Sequence, residues 1–252
     1  MAGPGALAAV VLAAVVLAGC RTDARVGVDV RADGSGTVTV SVVLDAEAAR
    51  QLGDPAKGLA LDDLATVGWT VADPATDGGG LRLSARRAFS SPAQLPAVLA
   101  EVGGADGVFR AVSLRITDDT FGTTYAFRAR VELTGDPAQF SDPELTTALG
   151  GFALGRTPEE LTALGADRPG AATLVVSVRL PGDAPSTNGR VRDGRAEWRF
   201  PLTGATPTSQ ALRSTSSDTD TRTLALVALG AVLLVAALVA LVVGLVRTRR
   251  RA

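Results

Sequence analysis

Arg25-Val26-Gly27-Val28-Asp29-Val30, then Arg31-Ala32-Asp33-Gly34-Ser35-Gly36, then Thr37-Val38-Thr39-Val40-Ser41-Val42-Val43-Leu44 is the stretch that decides the fold. Its valines recur at every second residue, with Gly, Asp, Thr and Ser between them. Period two puts one set of side chains on one face of an extended chain, so each arm reads as a strand with one buried side. The middle segment has the Asp, Gly and Ser of a turn. The whole is a hairpin with an apolar face. A two-stranded ribbon cannot cover that face, so the rest of the chain must supply the cover.

Working outward, the same alternation returns. Trp69 to Ala72 and Leu81 to Phe89 form a second hairpin, joined through Asp73-Pro74 and Gly80. Val108 to Thr117 and Thr123 to Thr134 form a third. In its second arm Tyr125, Phe127, Ala129, Val131 and Leu133 face one way, and Arg128, Arg130 and Glu132 the other. Thr173 to Leu180 and Arg195 to Leu202 are the last two strands, with Trp198 and Phe200 inward. Pro181 to Gly194 between them is a polar loop. Short helices intervene. Asp45 can cap one through Leu52, and Leu59 to Val67 is another candidate. Ser91-Pro92 opens one with the apolar stripe Leu95, Val98, Leu99 and Val102, stopped by Gly103-Gly104. Thr157-Pro158-Glu159-Glu160-Leu161 has a capped helix start, after the irregular apolar stretch Leu145 to Leu154. The expected class is α+β: a mainly antiparallel, one-sided sheet of about eight strands with short helices.

Both ends are hydrophobic. Leu17-Ala18-Gly19-Cys20 closes an uncharged run from Ala6 and reads as a lipobox, although Met1 to Gly5 has no Lys or Arg. It predicts a signal peptide over 1–19, a diacylglyceryl chain on Cys20 and an extracytoplasmic domain over 20–202. Residues 203–223 are rich in Ser and Thr and read as a flexible stalk. Leu224 to Val246 holds 23 residues without a charge, ahead of Arg247, Arg249, Arg250 and Arg251. At ~1.5 Å per residue it is long enough for a ~30 Å hydrocarbon core. The reading is a C-terminal transmembrane helix over 224–246 with a cytoplasmic basic tail over 247–252.

Composition removes several function classes. All 26 acidic residues lie between Arg21 and Thr223, and taking the four tail arginines from 25 basic residues leaves 21 there, a net charge of −5. Nucleic acid is therefore not an expected partner. There is no histidine, and Cys20 is the only cysteine. The usual zinc, haem and iron–sulfur ligands are missing, as are the His and Cys of nucleophilic triads and dyads. No cofactor, metal site or catalytic residue is expected.

The order of lipobox, Val-rich hairpin, Gly68-Trp69 before a strand, Pro181-Gly182 leading to Ser186-Thr187-Asn188-Gly189, inward Trp198, stalk and membrane helix resembles the LppM family of actinobacterial envelope proteins. The resemblance implies a lipid-handling module similar to polyketide-cyclase/lipid-transport folds, in which a curved antiparallel sheet folds around helices. It implies envelope glycolipids, such as phosphatidylinositol mannosides, as ligands. It carries no catalytic motif.

A lipid pocket needs an apolar concavity with a few polar groups at its mouth. Trp69, Phe89, Tyr125, Phe127, Trp198 and Phe200 are candidates to line one, or else plain core residues. Leu145 to Leu164 reads equally as a flap or as surface helices. Arg82, Arg86, Arg128, Arg130, Arg195 and Arg199 fall on the polar faces of strands, as a cationic surface for headgroups or as a solvated face. Glu159-Glu160 is best read as helix capping, and Ser186 to Gly189 as turn chemistry without a base. The expected function is a non-catalytic, membrane-anchored extracytoplasmic domain that binds a lipid or glycolipid of the envelope. The alternative is a structural or interaction module that recruits a membrane partner without a ligand. An enzyme would need carboxylates converging in a cleft, and nothing in the spacing suggests a pair.

Overall fold

The computed structural model describes residues 22–46, 68–77, 80–103, 107–134, 172–202 and 207–219. The opening hairpin is there: β1 (Thr22–Val30) and β2 (Gly36–Leu44) pair antiparallel, with Val26 opposite Val40 and Val28 opposite Val38. Buried and half-buried residues alternate without a break along β2. The turn is closed inside itself. Asp33 Oδ1 accepts from the Ser35 backbone N–H at 3.0 Å and from its hydroxyl at 2.6 Å. Those two bonds, the hydroxyl's the stronger, hold the Asp33 carboxyl below its ordinary 3.8.

β3 (Thr70–Asp77) and β4 (Gly80–Phe89) are the second hairpin, with an irregularity between Ala72 and Ala75 that absorbs Asp73-Pro74 within the strand. A 3₁₀ turn (Pro92–Gln94) leads into α1 (Leu95–Gly103). Ser91 stands at the N-cap in extended conformation but its side chain does not cap; the Gln94 side chain instead accepts from the Ser90 N–H at 2.8 Å. β5 (Phe109–Asp119) and β6 (Gly122–Leu133) are the third hairpin. β7 (Ala172–Arg179) and β10 (Arg195–Pro201) are the expected late strands. The polar loop between them carries two more, β8 (Ser186–Thr187) and β9 (Arg190–Arg192). β9 and β10 are joined by Asp193-Gly194, both at positive φ (51° and 71°), the geometry of a type I′ hairpin turn.

The strands build two sheets. One runs β3-β4-β2-β1-β7-β10-β9; the other is β5-β6-β11-β8, where β11 spans Thr208–Thr219. Among the described strands only β1 and β7 pair in parallel, Val26 beside Val176. The inner faces share one core. Val26, Val28, Val38, Val40, Val176 and Val178 meet Leu114, Phe127, Ala129, Val131 and Leu212, with Leu95, Val98, Leu99 and Val102 of α1 packed in. At about 1.5–3 kcal/mol for each fully buried large apolar side chain, this interface is the main term holding the fold.

Two expectations are corrected. The class is not α+β with about eight strands in a single one-sided sheet. It is nearly all β, with two sheets, eleven strands and one short α-helix among the described residues. Alternation marks a half-buried strand but does not say whether a helix or a second sheet covers it, and here a second sheet does. The residues read as a stalk are also, over Thr208–Thr219, a strand paired along its length with β6. Its inward positions are Leu212, Ser214 and Ser216, so two of three are polar and the strand's apolar face is invisible in the sequence. No helix among the described residues is long and apolar enough to cross a membrane. Residues 224–246 lie outside the described residues, as do Cys20, the signal segment, Glu159-Glu160, the stretch 145–164 and, beyond Ala46, the two early helix candidates.

Candidate functional site

All six aromatic candidates lie in the one core. Trp69, Phe89 and Tyr125 are each 2% exposed, Phe127 and Phe200 1%, and Trp198 3%. Each of the three with a polar atom uses it within the protein. The Trp69 indole N–H donates to Glu101 Oε2 at 3.0 Å, and the same oxygen accepts from Arg87 Nη1. One carboxylate thus ties the entry of β3, the C-terminal end of β4 and helix α1. The Tyr125 hydroxyl donates to the Ala32 carbonyl at 3.1 Å, joining β6 to the turn between β1 and β2. Burial pushes the Tyr125 phenol up from 10.0, the Asp218 charge adds to this, and a hydrogen bond with Thr123 works against it.

The third tie is Trp198. Its N–H donates to Asn188 Oδ1 at 3.1 Å. That oxygen also accepts from the Arg213 backbone N–H at 2.9 Å, while Asn188 Nδ2 donates to the Ala211 carbonyl at 2.7 Å. Asn188 therefore links β10 of one sheet to β11 of the other. Thr187 supports it: its hydroxyl donates to the Arg213 carbonyl at 2.7 Å and accepts from the Gly189 N–H at 3.0 Å. A Cβ at Gly189 would stand 2.7 Å from the Trp198 ring, so the loop lies flat on the indole. In the sequence Ser186 to Gly189 shows only turn chemistry. Its role as a strut depends on Trp198 and β11 arriving beside it.

The arginines grouped by the sequence do not form one surface. Arg82 and Arg86 are on β4, Arg195 and Arg199 on β10, all in the seven-stranded sheet; Arg128 and Arg130 are on β6, in the other. The β10 pair is neutralised. Arg195 meets Asp29 at 2.8 Å and Arg199 meets Glu197 at 2.8 Å. Arg128 instead has Arg213 of β11 directly opposite. Arg213 had no place among the candidates, because the segment that carries it reads as a linker.

No family model matches the chain, and no curated protein matches it. Among solved structures, the folded domain of LppM from Mycobacterium tuberculosis, determined by NMR, superposes with a TM-score of 0.42 at 16% identity, over 82% of this chain and 95% of that one. The likeness is distant and does not establish membership of the LppM family.

Among the described residues no group of three or more Asp, Glu, Cys and His side chains is placed to hold a metal ion. The carboxylates have structural work: Asp29 and Glu197 pair with arginines, Glu101 joins Trp69 to Arg87, and Asp33 and Asp119 accept backbone N–H groups in turns. What the arrangement offers chemically is hydrogen-bonding and cationic surface on a braced frame.

Proposed function

We propose that this chain is a non-catalytic binding domain of the cell envelope, outside the cytoplasm and held at the membrane by a lipid on Cys20, with a lipid or glycolipid of that surface as its ligand. The observation that carries the reading is the engagement of Trp69, Tyr125 and Trp198 with Glu101, Ala32 and Asn188. A core braced at three polar points is a scaffold. A ligand then meets the outer faces, where Arg, Ser and Thr suit phosphate groups and sugar hydroxyls. The headgroup is the part recognised. The lipobox at Leu17 to Cys20 supports the location.

Native mass spectrometry of the full chain, extracted from its own membranes in nonionic detergent, tests this. One lipid class retained well above its share of the membrane is expected. A bound-lipid profile equal to that of the bulk membrane rejects the reading. The braced core equally suits the second reading, a module that recruits a protein partner without a ligand; that reading requires a partner to co-purify and no lipid class to be enriched.

A further inference from the structure

The outer face of the four-stranded sheet gathers positive charge, although residues 21–223 carry a net charge of −5. Arg128 on β6 stands directly opposite Arg213 on β11, and Arg130 on β6 opposite Arg110 on β5. Arg115 on β5, opposite Ala126, is a diagonal neighbour of Arg128. All five are exposed. Like charges directly opposite on adjacent strands weaken a sheet, and here one face has two such pairs. Glu132 offsets the first, 3.8 Å from Arg110 Nε and 3.9 Å from Arg130 Nη1. Nothing offsets the second: among the described residues Arg115, Arg128 and Arg213 form no ion pair and no side-chain hydrogen bond.

The cluster is also braced. The Arg213 N–H is held by Asn188 and its carbonyl by Thr187, so β11 presents this arginine from a fixed backbone. The neighbouring positions are small, Ser113 beside Arg128 and Ala211 beside Arg130, which leaves the guanidinium groups above a low floor. A phosphate placed between Arg128 and Arg213 would accept two charge-assisted forks and cancel the repulsion between them.

We propose that the outer face of β5, β6 and β11 is a binding site for a phosphate-bearing ligand, held between Arg128 and Arg213 with Arg115 and Arg130 at its rim. This rests on the reading of the chain as a surface-binding domain and names the chemistry of the group bound.

The test is thermal unfolding of the full chain in nonionic detergent micelles. One arm adds sodium pyrophosphate against sodium chloride at matched ionic strength, which separates binding from screening. The other replaces part of the detergent with phosphatidylinositol or, as control, phosphatidylcholine. A rise in Tm with pyrophosphate assigns the site to soluble phosphates as well; a rise with phosphatidylinositol alone assigns it to a headgroup at an interface. In either case the rise is expected to vanish in Arg128→Gln/Arg213→Gln, whose Tm without ligand equals or exceeds that of the parent. Glu132→Gln, which removes a negative charge from the rim, is expected to enlarge the rise and keeps the test decisive should the double variant fold poorly. No rise in either arm, or a rise that survives the double substitution, overturns the site. Enrichment of a lipid class that persists in the double variant overturns the site and leaves the proposed function standing.

Discussion

Trp198 and Asn188 are joined across the two sheets: the indole N–H donates to Asn188 Oδ1 at 3.1 Å, while the same side chain holds the backbone of Ala211 and Arg213 on β11. Asn188→Ala removes three hydrogen bonds and leaves the buried indole N–H without its acceptor. Urea unfolding followed by tryptophan fluorescence is expected to show a loss of about 1–3 kcal/mol, at the lower end because part of this site is open to water. Asn188→Asp keeps the acceptor and loses the donor to Ala211, so it should cost less. Equal stability of all three proteins would show that Asn188 does not brace the two sheets.

Ser214 and Ser216, two residues apart on the inner face of β11, should respond in opposite directions. Ser214 Oγ is buried without a hydrogen-bond partner among the described residues, while Ser216 Oγ donates to the Pro181 carbonyl at 2.7 Å. Ser214→Ala is expected to stabilise the chain by about 1 kcal/mol, because an unsatisfied hydroxyl is removed. Ser216→Ala is expected to destabilise it by a similar amount. The sign difference, read from chemical denaturation midpoints, is the test.

Gly36 and Gly194 separate close approach from backbone strain. A Cβ at Gly36 would overlap the Asp29 carbonyl and the Phe89 ring, whereas one at Gly194 meets nothing within 4 Å and faces only its positive φ. Gly36→Ala is expected to cost about 3 kcal/mol, since backbone and a core ring must both move. Gly194→Ala should cost about 1–2 kcal/mol, the strain of a left-handed residue. Thermal unfolding of the pair should rank them in that order.

Asp33 gives a pH dependence of known sign. Its folded carboxyl lies below 3.8 because Ser35 hydrogen-bonds the charged form. The stabilisation is therefore complete above the unfolded value and is lost as pH falls through the folded one. The stability difference between the parent chain and Asp33→Asn should stay constant from pH 7 to about 5 and shrink below about 4. A difference that does not change down to pH 2 would show that the Ser35 bonds do not favour the carboxylate.

Much of this architecture was legible from residue patterns. The three hairpins and the two late strands fall where the period-two runs place them, because burial on one face imposes alternation that needs no knowledge of the partner. The stalk was misread for the complementary reason. On β11 the core accepts Ser214 and Ser216 beside bulky Tyr125 and Phe127, the residues they neighbour on β6, so inward and outward positions look alike. Trp198 and Phe200, expected inward, are buried, but burial says nothing about whether a side chain meets a ligand or another sheet.

By itself, the sequence determined the three hairpins and the two late strands with their alternating faces, since these follow from the chemistry of a residue and its near neighbours. Only the tertiary structure decided that a second sheet closes the core, that Asn188 meets Trp198, and that Arg128 lies against Arg213. Each of those depends on segments far apart in the chain arriving side by side. That arrival is set by how faces fit and by which backbone edges remain to be paired.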